Sequence, residues 1–177
     1  MDRRSSIKAL LIISAGAVLA PSCMEEKDKN TSSFKNLKIN NSDEELLAQV
    51  TETIIPKTDT PGAQDVSAHA FVLMMMDDCY PPDTQNKFVN GMKEFETFTK
   101  KKFDKSFAKC SPAERVEIVS IVESKNGIPE NVAFFYSSVK KLTLQAYTTS
   151  EYYLTKVHEY KLVPGKFYGC VPVTRVS

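Results

Sequence analysis

The chain has 177 residues, 42% of them hydrophobic and 25% charged, with 23 basic side chains against 22 acidic ones. So even a charge balance excludes the clustered basic field that nucleic-acid binding asks for. Six glycines without a phosphate-loop pattern, two distant histidines (His69 and His158) and no C-x-x-C-H exclude a nucleotide loop and covalent haem, and leave little for a histidine metal site.

The first 22 residues read as an export signal. Arg3, Arg4 and Lys8 make a charged start, and residues 9–20 form a mostly apolar run. That run is shorter than the roughly 20 residues a membrane span needs and suits the apolar region of a signal peptide. Arg3 and Arg4, followed by Ile7 and Lys8, resemble a twin-arginine motif with Ser6 where Phe is usual. An ordinary secretory signal with two arginines is the alternative. Leu19, Ala20, Pro21 and Ser22 before Cys23 resemble a lipobox, which would make Cys23 the acylated N-terminus of a membrane-anchored, periplasmic lipoprotein. Cleavage by ordinary signal peptidase would instead release a soluble product. Removing residues 1–22 takes the net charge from +1 to −1.

Residues 23–41 are rich in Lys, Asn and Ser without sustained periodicity, a composition expected to form a flexible tether. The domain is then expected over 42–177. Ser42 to Glu45 reads as a capping box, with Leu46, Leu47, Val50 and Ile54 behind it and Pro56 as the stop. A second helix is expected from Asp65 to Asp78, burying Val66, Ala70, Leu73 and Met74. A third follows the Pro81-Pro82-Asp83 break and buries Phe88, Met92, Phe95 and Thr99, with Lys100, Lys101 and Lys102 at its solvated end. Ser111, Pro112 and Glu114 form a second capping box, opening a helix that uses Val116, Val119 and Val122, widened by Ile118 and Ile121. Pro129-Glu130 starts a helix that stacks Phe135, Val139, Leu142 and Ala146. A short turn after Ser150 leads into a Pro- and Gly-containing stretch. The pattern predicts an all-α domain of five to six helices with an irregular C-terminal tail.

With Cys23 acylated, Cys79, Cys110 and Cys170 remain, an odd number for an oxidising compartment. The expected pairing is Cys79 with Cys170, closing a loop of about 90 residues and contributing up to roughly 4 kcal/mol in the chain-entropy model. Cys110 is expected to stay free and buried. Asp77-Asp78 is too small an acidic set for calcium, and His158 beside Glu159 lacks a nucleophile to complete a catalytic cluster.

Thr53-Ile54-Ile55-Pro56-Lys57-Thr58-Asp59-Thr60-Pro61-Gly62-Ala63 resembles the signature of the gluconate 2-dehydrogenase subunit 3 family. The likeness continues through Phe71-Val72, Met76-Asp77-Asp78, Phe88, Gly91, Phe107, Phe134-Phe135 and Leu142-Thr143-Leu144. It closes with Thr149-Ser150-Glu151, Tyr160, Pro164-Gly165 and Gly169-Cys170-Val171-Pro172. The resemblance implies a non-catalytic accessory subunit with no cofactor of its own. Its partner would be a large flavin-containing dehydrogenase of the glucose–methanol–choline type, carrying FAD and oxidising sugars, sugar acids or polyols. A cytochrome c subunit often completes such complexes. The small subunit would help the flavoprotein mature and export with it.

Two readings of Thr58, Asp59, Thr60, Pro61, Gly62 and Ala63 stay open. Asp59 and the threonines could bond nearby backbone N–H groups and hold a tight connection, with Gly62 supplying unusual backbone angles. Alternatively, the loop docks onto the large subunit. A generic extracytoplasmic lipoprotein with a helical interaction domain is the competing binding function, and a stand-alone hydrolase the competing enzyme.

Overall fold

The computed structural model describes residues 34–158, 160–163, 165, 169 and 170. Among the described residues there are five α-helices and no strand: α1 (Asn41–Ile54), α2 (Ala68–Cys79), α3 (Pro82–Phe103), α4 (Pro112–Ser124) and α5 (Glu130–Thr148). A 3-10 turn, Phe107–Lys109, links α3 to α4, and a π turn, Tyr153–Val157, follows α5. The all-α expectation holds, as does the irregular tail at the described C-terminal residues, where Leu162 and Val163 are each 82% exposed. No helix among the described residues is long and apolar enough to cross a membrane.

The centre is α5, which packs along α3 and α2. Its buried side chains include Phe135, Val139, Leu142 and Ala146, as the periodicity predicts. Opposite them, α3 buries Phe88, Met92, Phe95 and Thr99. Thr99 satisfies its hydroxyl by donating to the Phe95 carbonyl at 3.0 Å, which lets a polar residue sit in the core. Phe88, Phe135, Phe95 and Phe107 form a ladder of tilted rings 5.1–5.5 Å apart, within the favoured range for aromatic pairs. Where α3 crosses α5, a Cβ on Gly91 would lie 2.2 Å from the Asn131 carbonyl oxygen. The two helices approach this closely only because a side chain is missing.

Local signals explain the helix ends. Ser111 caps α4 as predicted: Glu114 accepts from the Ser111 N–H at 2.7 Å, and Pro112 fills the first helical position. The Lys105 ammonium, then the Ser111 groups, hold the Glu114 carboxyl down at about 2. The capping box of α1 lies two residues earlier than expected. Asn40 accepts from the Asp43 N–H at 3.0 Å, and the Asp43 carboxylate accepts from the Asn40 N–H at 3.0 Å.

That shift reflects a larger correction. The expected tether over 23–41 and domain start at Ser42 do not hold for residues 34–41: Leu37 and Ile39 are 2% and 4% exposed and belong to the main core. Asp77 clasps this segment. Its carboxylate accepts from the backbone N–H groups of Lys35 (3.0 Å), Asn36 (2.7 Å) and Leu37 (2.8 Å), while the Asn36 side chain donates to the Asp77 carbonyl. Burial pushes the Asp77 carboxyl up, and these three N–H donors more than reverse it, leaving it below the usual carboxylate range. Asn36 before and Lys38 between the apolar anchors conceal the pattern in the sequence.

Two buried faces also differ from expectation. α2 starts at Ala68 because Ser67, at φ 53°, interrupts the helical path, and it buries Ala68, Val72, Leu73 and Met76 while Ala70 and Met74 face solvent. α4 buries Ile118, Val119 and Val122 but leaves Val116 55% exposed. Both helices are apolar on more than one side, so composition alone does not choose the inward face.

Candidate functional site: the 58–63 loop and its groove

α1 ends before Pro56, and the chain loops out and returns at Ala63, whose N–H donates to the Ile55 carbonyl at 2.9 Å. Two carboxylates hold the loop from within. Glu52, on the last turn of α1, accepts from the Lys57 N–H at 2.8 Å and the Gln64 N–H at 2.9 Å. Asp65 accepts from the Gly62 N–H at 2.9 Å and from the Lys57 ammonium at 2.9 Å. The Lys57 hydrogen bond, then the Gly62 N–H, lower the Asp65 carboxyl, and Asp65 in turn raises Lys57. This ion pair is solvent-exposed and adds little stability; its role is to fix geometry. From the far side, the Tyr147 hydroxyl donates to the Pro61 carbonyl at 2.9 Å.

Gly62 is required by space. A Cβ there would lie 2.5 Å from the Glu52 carboxylate and 2.6 Å from the Lys57 nitrogen. Its φ is not positive, so the expectation of an unusual backbone angle is corrected. The expected role of Asp59 is corrected too. Thr58 and Thr60 bond each other, through the Thr58 N–H to the Thr60 carbonyl at 3.0 Å and between their hydroxyls at 3.3 Å. Asp59 has no hydrogen-bond or ion-pair partner among the described residues, and all three are exposed. The bracing comes from Glu52, Asp65 and Tyr147, which the sequence reading did not single out. A carboxylate on each flank of a Pro- and Gly-containing loop is a cue for the first two; nothing near Tyr147 announces its reach across the fold.

Beside the loop lies a groove of about 550 Å3. Pro61, Asp65 and Ser67 line one wall, and Ser150, Glu151 and Lys156 the other. The fold thus brings together two stretches that stand apart in the chain, the loop and the Ser150-Glu151 pair. Tyr147 joins them, with its ring 6.3 Å from those of both Tyr152 and Tyr153.

The remaining sequence candidates disperse. Arg3, Arg4 and Cys23 lie outside the described residues. Cys79, Cys110 and Cys170 are all free in the structure: Cys79 and Cys170 are exposed and the expected pairing between them is not seen, while Cys110 is buried. Burial pushes the Cys110 thiol above its usual value, and it donates to the Ser106 carbonyl. Asp77 is absorbed by the clasp rather than by a cation. No group of three metal-ligating side chains converges among the described residues.

Fold and site together define a small all-helical domain that presents a braced, solvent-facing loop. The chain belongs to the gluconate 2-dehydrogenase subunit 3 family: the family model described as Gluconate 2-dehydrogenase subunit 3 matches residues 41–165, which take in the loop, the groove, Asp77 and Gly91. The family is named for a subunit of a dehydrogenase complex, an accessory place in a larger assembly. No curated protein and no solved structure matches the chain.

Proposed function

We propose that this chain is the non-catalytic accessory subunit of an extracytoplasmic flavin-dependent dehydrogenase, which it binds, helps to mature and accompanies through export. The partner carries FAD and oxidises a sugar, sugar acid or polyol, with a cytochrome c subunit as a further member of the complex. Arg3 and Arg4 supply the export signal, and acylated Cys23 the membrane anchor. Export in a folded state suits a partner whose flavin is inserted in the cytoplasm.

The observation that carries this reading is Asp59. It stands at the exposed tip of a loop braced by Glu52, Asp65 and Tyr147, yet takes no part in the bracing. Rigid backbone beneath unpartnered polar side chains lowers the ordering cost of association. Asp59→Ala should therefore leave thermal unfolding of the isolated subunit unchanged while weakening assembly about tenfold or more. Co-purification of the flavoprotein measures the second effect. Deleting the gene should leave the flavoprotein unexported or poor in flavin. A fully loaded, active flavoprotein in the periplasm of the deletion strain would overturn the proposal.

A further inference from the structure

A second surface, sharing no lining residue with the 58–63 site, lies between α4 and α5. α4 carries Val116, Ile118, Val119, Ile121 and Val122, more apolar side chains than one buried face can take. Beside Val122 lies a groove of about 500 Å3, lined on the apolar side by Val122, Ala133, Tyr136 and Leu144. Leu144 is 46% exposed there although it sits on the central helix.

Two polar features give this groove a chemistry. Tyr136 is 5% exposed, and its hydroxyl makes no hydrogen bond to any described residue. The hydroxyl oxygen itself reaches solvent, so it is open to a partner that enters the groove. Burial, then the nearby Glu123, push its pKa up to about 12, so it keeps its proton and offers a donor to whatever enters. The rim is cationic: Lys125, Lys140 and Lys141 line it against a single Glu123, which pairs with Lys140. Neither Lys125 nor Lys141 has a carboxylate partner among the described residues.

We infer that the α4–α5 groove is a second docking site, taking a segment of a partner protein in which an apolar side chain is flanked by Asp or Glu. The apolar residue covers Leu144, the flanking carboxylates face Lys125 and Lys141, and a carboxylate or carbonyl accepts from Tyr136. Charge complementarity of this kind selects the partner and sets the register, and a groove between two helices suits a segment with one apolar anchor. The inference rests on the accessory-subunit reading, and adds that the domain is gripped on two separate faces.

The test places a benzophenone amino acid at Ser137, exposed in this groove, or at Thr60 on the loop, in the full chain expressed in its own host and irradiated before purification. The Ser137 adduct should map to a partner peptide bearing an apolar residue with acidic neighbours. Combining Lys125→Glu with Lys141→Glu should lower that adduct about fivefold or more and leave the Thr60 adduct unchanged. Tyr136→Phe, which preserves volume, should also weaken it. A Thr60 adduct without a Ser137 adduct overturns the inference and leaves the accessory reading standing. So does a Ser137 adduct to another copy of this chain, to lipid or to a basic peptide, or one insensitive to charge reversal. Loss of both adducts from the unaltered chain overturns the two together.

Discussion

Replacing Asp77 with Ala removes one carboxylate and strands three backbone N–H groups, those of Lys35, Asn36 and Leu37. The Leu37 N–H is buried and costs about 1–3 kcal/mol when left unpaired, whereas the N–H groups of the exposed Lys35 and Asn36 can turn to water. Releasing residues 34–39 would instead expose Leu37 and Ile39, whose burial is worth about 1.5–3 kcal/mol each. The expected net loss is about 1–3 kcal/mol, the cost of the one buried donor, read as a lower urea midpoint together with faster protease cleavage before α1. The pH dependence has a definite sign. Because the folded-state pKa of Asp77 is depressed, its contribution is fully present above the unfolded value near 4 and is lost as pH falls through the lower folded value. The stability gap between the native chain and Asp77→Ala should therefore be constant from pH 5 to 7 and close below about pH 4. An unchanged urea midpoint with residues 34–40 still protected would refute the clasp.

Gly91→Ala forces a methyl to within 2.2 Å of the Asn131 carbonyl and should destabilise the fold by about 2–3 kcal/mol, visible as a lower Tm. Gly62→Ala collides with the Glu52 carboxylate and the Lys57 nitrogen, so it should displace the loop and reduce flavoprotein co-purification with little change in global unfolding. The free thiols should label in two classes in the native state: Cys79 and Cys170 rapidly, Cys110 only on unfolding, because burial both shields it and disfavours its thiolate. Peptide-resolved alkylation separates the three.

The sequence was most legible where one physical signal acted alone. In α3 the apolar positions recur at intervals of four, three and four among polar neighbours, and Phe88, Met92, Phe95 and Thr99 are all buried. The Ser111–Glu114 cap reads literally, since both partners lie within four residues. Legibility failed where several faces were apolar, as with Met74 and Val116, or where the decisive bond spans the chain. Asp77 looks like half of an acidic pair until its partners, about forty residues upstream, are in place. At the loop, the unusual residues were visible and their roles were not. Gly62 and Asp59 attract attention, but the bracing depends on Glu52, Asp65 and Tyr147, ordinary residues made important by where the helices put them.

The clasp at Asp77 also sets a length. With Cys23 acylated, as proposed, the chain from the anchor to Lys35 spans at most about 40 Å when fully extended, at 3.3–3.6 Å per residue. A domain of this size is itself about 35–40 Å across by the usual scaling of radius of gyration. The leash is thus no longer than one domain diameter, and a dehydrogenase held by this subunit would work close above the bilayer. Unfastening residues 35–40 would add roughly another 20 Å. Asp77, which lines neither groove, would then decide how far from the membrane the enzyme stands.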